Sequence, residues 1–130
     1  MIFSDLKTWN YWSLLSFNFY NLLKKGAITY NTNIINNETD GIYLTGNFSG
    51  TNDFDPSAGV ATQFSVSSNG FIAKYDTAGA YVYVKPIGGN KGNNSTFNLS
   101  STDSAGNIYR VGTLSATTDL DPSSNTYNVS

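Results

Sequence analysis

One sixteen-residue phrase is written twice in this chain, and that duplication constrains the fold more than any other feature. Ile42-Tyr43-Leu44-Thr45-Gly46-Asn47-Phe48-Ser49-Gly50-Thr51-Asn52-Asp53-Phe54-Asp55-Pro56-Ser57 returns 66 residues later as Ile108-Tyr109-Arg110-Val111-Gly112-Thr113-Leu114-Ser115-Ala116-Thr117-Thr118-Asp119-Leu120-Asp121-Pro122-Ser123, without a gap and with 9 of 16 positions identical. Average residue usage would leave roughly one identity. A fixed period of this length marks one supersecondary unit that is copied and stacked.

The content of the unit reads as β. Asn, Ser, Thr, Gly and Tyr dominate from about Ile28 onward, a mixture poor for helices and suited to turns and short twisted strands. Period-two alternation predicts strands from Ile28 to Ile34, Ile42 to Ser49, Ala61 to Val66, Phe71 to Asp76, Ala80 to Lys85 and Ser95 to Thr102, with another opening at Ile108. Asn69-Gly70 is a hairpin signal. Pro86 is expected to end regular pairing, and Gly50 to Gly59 to form a long connection. Asp76-Thr77-Ala78-Gly79 and Asp103-Ser104-Ala105-Gly106 share one turn chemistry, an acceptor side chain at the start and a residue tolerant of positive φ at the end.

These signals amount to four principal strands per 66 residues. A recurring four-stranded antiparallel meander is the blade of a β-propeller, and a blade hides its faces only against neighbours. The expected fold is therefore all-β, repeated blades of an incomplete propeller: residues 28–94 as a first blade, residues 95–130 as part of a second. Ser130 aligns with Phe64, ahead of the equivalents of Phe71–Asp76 and Ala80–Lys85. The expectation is that such an array continues in a longer protein, so that neighbouring blades or self-association are the natural partners.

Residues 1–27 follow another pattern. Trp12, Leu15, Phe19, Leu22 and Leu23 fall at helical spacing and Gly26 can stop a helix, which predicts a short amphipathic helix, and the preferred role of the segment is a helix or strand that covers an open sheet edge. The run is interrupted too often by Asn and Ser for a membrane span, which needs ~20 mostly apolar residues. Lys24 and Lys25 follow the apolar run, the reverse of a signal peptide. An interfacial membrane anchor is the lesser alternative.

Composition removes most chemistry. With 39% hydrophobic and 15% aromatic residues the chain can pack a core, while 12% charged residues and a net charge of −2 leave no basic field for nucleic acid. The chain has no Cys and no His, which removes thiol nucleophiles, disulfides, zinc sites and the usual general base. No cofactor motif is present. Asp53 with Asp55, and Asp119 with Asp121, are paired carboxylates that a Ca²⁺ ion would accept, but the spacing of a full calcium loop is missing, and turn capping is the preferred reading. Glycoside hydrolysis also uses two acids, yet residues two apart on a duplicated loop fit architecture better than one active site. Tyr43, Phe71, Tyr75, Tyr81, Tyr83 and Tyr109 suit packing between blades more than sugar stacking. Lys74 and Arg110 are candidates to pair with loop carboxylates. No catalytic, cofactor-binding or metal residue is assigned.

With Gly106-Asn107-Ile108-Tyr109 and Gly112, Asp53-Phe54-Asp55-Pro56, Phe71-Ile72-Ala73-Lys74-Tyr75-Asp76-Thr77-Ala78-Gly79 and Gly88-Gly89 in view, the stretch from Ile28 to Ser130 resembles the bacterial SBBP-type β-propeller repeats. Tyr83 stands where that pattern usually carries Trp. The resemblance implies a non-catalytic binding or scaffold module of a secreted or surface bacterial protein, with a carbohydrate or protein ligand left open. The alternative is part of a propeller-based carbohydrate-active enzyme whose catalytic residues lie in other blades.

Overall fold

The computed structural model describes residues 29–37, 40–88, 96–121, 123 and 125–130. The readings made for residues 1–27 and for the Gly-Asn crossing at 89–94 lie outside the described residues. The described chain is all-β, with antiparallel sheets: β1 (Thr29–Asn37), β2 (Gly41–Asp53), β3 (Thr62–Tyr75), β4 (Tyr81–Ile87), β5 (Thr96–Thr102), β6 (Ile108–Thr113), β7 (Thr118–Asp119) and β8 (Asn128–Val129). The first four form one sheet in the order β1-β2-β3-β4, and β5-β6 and β7-β8 are hairpin pairs. Among the described residues no helix is long and apolar enough to cross a membrane.

The two Asp-x-x-Gly turns make their hairpins by the same bonds. Asp76 Oδ1 accepts from the amides of Ala78 at 2.8 Å and Ala80 at 2.9 Å, and Asp103 Oδ1 accepts from those of Ala105 and Asn107, both at 2.9 Å. Gly79 and Gly106 both sit at φ 81°, where a Cβ is strained and glycine is not. The carboxylate thus satisfies turn amides that would otherwise need water.

Register follows the duplication. Thr96 pairs with Thr113, Leu99 with Val111, Ser100 with Arg110, Ser101 with Tyr109 and Thr102 with Ile108; each pair lies 66 residues after a β1–β2 pair, from Tyr30 with Asn47 to Asn36 with Ile42. Irregularities fall at matching places, between Tyr30 and Asn33 and between Phe97 and Leu99. Thr118 with Val129 and Asp119 with Asn128 likewise follow Asn52 with Gln63 and Asp53 with Thr62.

Three sequence expectations need correction. The strands predicted at Ala61 to Val66 and Phe71 to Asp76 are one, β3, and Asn69-Gly70 is no turn: Asn69 pairs with Phe48 and Gly70 with Asn47 inside the sheet. Gly70 is required there by close approach, since a Cβ on it would lie 2.3 Å from the Phe97 ring. Pro86 does not end pairing, because it faces Phe71 and β4 continues to Ile87. An outer strand can direct a proline's missing N–H away from the ladder. Finally, β2 runs on to Asp53, so the connection to β3 begins at Phe54 rather than Gly50.

Alternation sorts β2 and β3 onto two faces. On the first lie Ile42, Leu44 and Phe48 with Phe71, Ala73 and Tyr75, closed by Phe54 from the connection and flanked by Ala61, Tyr81 and Val84. Phe48 meets Phe54 edge-on at 5.6 Å and Phe71 at 6.0 Å, and Phe54 lies 4.8 Å from Phe71. The second face carries Tyr43, Thr45, Asn47 and Gly70, and all four are buried. What covers it is the β5–β6 hairpin.

Candidate functional site

The carboxylate loops come first, because the sequence marks them as the candidate metal positions. Asp53 Oδ1 accepts from the amides of Asp55 at 3.1 Å and Ala61 at 2.8 Å, Asp55 Oδ1 from Ser57 at 2.8 Å, and Ser57 Oγ from Gly59 at 3.0 Å. The second loop repeats every bond: Asp119 Oδ1 takes the amides of Asp121 and Tyr127, Asp121 Oδ1 that of Ser123, and Ser123 Oγ that of Asn125. Ser123, through its hydroxyl and then its amide, holds the Asp121 carboxyl below its ordinary range, with help from the Lys85 charge. These acids are occupied as turn acceptors, the role that Asp takes wherever its side chain bonds the backbone two residues on. Among the described residues no three His, Cys, Asp or Glu side chains gather where they could hold a metal ion.

Phe54 links the first loop to the core. Its ring is buried with Phe48 and Phe71, while its carbonyl accepts from the Tyr75 hydroxyl at 2.8 Å. Burial, with the neighbouring Tyr81, pushes the Tyr75 phenol well above its ordinary range, so it stays a donor.

The two cations behave differently. Lys74 does pair with a carboxylate, at 2.6 Å from Asp40 Oδ1, and its ammonium stands 5.2 Å above the Tyr43 ring, whose hydroxyl donates to Asp40 Oδ2. The Lys74 bond, then that of Tyr43, lowers the Asp40 carboxyl. Arg110 goes to main-chain oxygens instead. Its guanidinium donates to the carbonyls of Phe71 at 2.9 Å and Gly46 at 3.2 Å and to Ser100 Oγ at 3.2 Å, and lies 4.7 Å over the Phe97 ring. Burial brings its pKa down to about 10, which still leaves it charged at neutral pH.

Arg110 belongs to a seam that sequence reasoning missed. Asn47, fully buried, donates from Nδ2 to the Phe97 carbonyl and accepts at Oδ1 from the Phe97 amide, both at 2.9 Å, so one side-chain amide replaces a strand neighbour. Thr45 Oγ1 donates to Ser100 Oγ at 2.8 Å. Phe97 fills the space over Gly70. One face of the hairpin thus lies on the second face of the four-stranded sheet, and the covering face of β6 holds the residues that align with Ile42 and Leu44. In sequence, the trace of the seam is two of the seven departures between the aligned phrases, Leu44 to Arg110 and Asn47 to Thr113.

Replacing Arg110 with alanine is expected to destabilise the chain by about 2–3 kcal/mol, from lost charge-assisted bonds and ring contact. Arg110→Lys should recover little of this, because one ammonium cannot reach three acceptors as a planar fork does. Urea unfolding of both variants checks it.

The Asp103 turn gives a pH signature. The Asn107 side-chain and backbone amides, then the Tyr109 hydroxyl at 2.9 Å, hold its carboxyl at about 2. A depressed carboxyl contributes stability above its unfolded pKa of about 3.9 and loses it as pH falls toward the folded value. Asp103→Asn should therefore lower the thermal midpoint near neutral pH, and the gap to the parent should close as the pH drops from about 4 to about 2. A gap that does not change with pH would assign the effect to geometry alone.

No family model, no curated protein and no solved structure matches this chain.

Proposed function

We propose that the chain is a non-catalytic repeat module of the β-propeller type, one whole blade with part of the next, serving as a binding or structural scaffold in a secreted or surface bacterial protein. One observation carries this reading: the face of the β5–β6 hairpin that aligns with the core face of β2 packs on the opposite face of β2 and β3, through Arg110, Phe97 and Asn47. Front-to-back contact of like units is the relation that generates a ring when its rotation closes. The reuse of the carboxylates as turn acceptors in both loops supports a structural rather than catalytic role for them. The resemblance to SBBP-type repeats supports the bacterial and extracellular assignment, and the partners that follow are neighbouring blades.

Tandem copies of residues 29–94, a span of 66, provide the test. Arrays of roughly four to eight copies should appear as closed, compact rings by electron microscopy. Open rods at every copy number would refute the propeller assignment.

A further inference from the structure

The β5–β6 hairpin lies against the four-stranded sheet without joining its ladder. Among the described residues its strands pair only with each other, and the Asp103 turn closes them. What fastens the hairpin to the sheet is a set of side chains. Asn47 clasps the Phe97 backbone, Thr45 donates to Ser100, and Arg110 reaches the carbonyls of Gly46 and Phe71. Beyond the hairpin, the Gly88 amide donates to the Asp119 carbonyl at 2.9 Å, so β7 is held to the end of β4 as well.

None of these bonds depends on which chain supplies the hairpin. The sequence between Gly88 and Thr96 is Gly89-Asn90-Lys91-Gly92-Asn93-Asn94-Ser95, with no apolar side chain beyond its glycines to add contacts of its own. A short polar tether of this composition contributes an effective concentration, in the millimolar range for flexible linkers.

We propose that the second face of the four-stranded sheet, centred on Asn47 and Gly70, also docks the β5–β6 hairpin of a second copy of this chain, so that two copies exchange hairpins into a reciprocal dimer. Each seam of the dimer keeps every bond of the seam within one chain, including the Phe97 ring over Gly70 and the fully buried Asn47 amide. The surface is selective for the same reason. A hairpin without an arginine at position 110 leaves two carbonyls unmet, and one without a free strand edge at Phe97 leaves the Asn47 amide unmet. Closed chain and exchanged dimer therefore differ mainly in the tether, and the dimer should fill as the chain approaches about 1 mM. The inference uses the seam and not the ring: tandem copies can fail to close while hairpins still exchange, and the reverse.

The chain has no cysteine, which gives a direct test. Thr45 Oγ1 and Ser100 Oγ stand 2.8 Å apart across the seam, so cysteine at both positions brings two sulfurs within bonding reach. Chains carrying Thr45→Cys alone and chains carrying Ser100→Cys alone are unfolded together in urea, refolded as a mixture at about 10 µM and at about 1 mM, and oxidised with glutathione disulfide. A disulfide between positions 45 and 100 then forms only across an exchanged seam. Peptide mapping should find it, with a yield at least about tenfold greater at the higher concentration. Sedimentation of the unsubstituted chain refolded in the same way should show the matching rise in dimer, and Asn47→Ala should abolish it. A monomer at both concentrations, a dimer that persists in Asn47→Ala, or 45–45 and 100–100 bridges as abundant as the 45–100 bridge would each overturn the proposal.

Discussion

Phe71→Ala is expected to lower the unfolding free energy by about 3–5 kcal/mol, the range for removing a large aromatic side chain from a core. The ring is 0% exposed and bridges Phe48 on β2 to Phe54 from the connection, so its loss leaves a cavity that two strands and a loop must share. Small domains hold only about 5–15 kcal/mol in total, so the variant should melt near ambient temperature or fail to fold. Val66→Ala is the control. Val66 lies on the same strand but is 68% exposed, and its truncation should stay within about 0.5 kcal/mol. Urea unfolding of the pair decides the matter: equal losses would show that the phenylalanine cluster is not the core.

Asn47→Ala is the second large effect, and it should be local. The substitution strips the Phe97 amide and carbonyl of their partner in a buried seam, at about 1–3 kcal/mol for each orphaned group, or about 2–6 kcal/mol together. Apolar replacement by leucine should be no better, since the orphaned groups belong to the backbone and cannot be removed with the side chain. Hydrogen exchange should then show the β5–β6 amides losing protection while those between β2 and β3 keep theirs. Uniform loss through both sheets would mean that hairpin and sheet unfold as one unit, and that Asn47 does not govern docking in particular.

What the sequence made legible was chemistry contained within a few residues. Asp76 to Gly79 and Asp103 to Gly106 were readable because acceptor, amides and glycine all lie within one turn. Asp53 and Asp119 were readable as turn acceptors through the amide two residues on, whereas their second bonds, to the amides of Ala61 and Tyr127 eight residues on, were not. Failures came where a distant group decides. Asn69-Gly70 has the local chemistry of a hairpin, but both residues pair with Phe48 and Asn47 of β2, and the glycine answers to the Phe97 ring above it. Pro86 is tolerated because β4 is outermost, a fact of sheet order and not of dipeptide preference. Arg110 suggested a carboxylate partner, whereas its acceptors are the Ser100 hydroxyl and two carbonyls 39 and 64 residues away in the chain. Nothing near Asn47 announces that its amide will stand in for a strand.

The aligned positions Leu44 and Arg110 also impose an order. Leu44 sits among phenylalanines, while Arg110 supplies donors to two carbonyls that the opposite sheet face presents. A polypeptide with the two segments transposed would set a guanidinium among aromatic rings and a leucine against oxygens that require hydrogen. Aligned segments of this kind are therefore not interchangeable bricks, and the side chain at this position fits each one to its own seat.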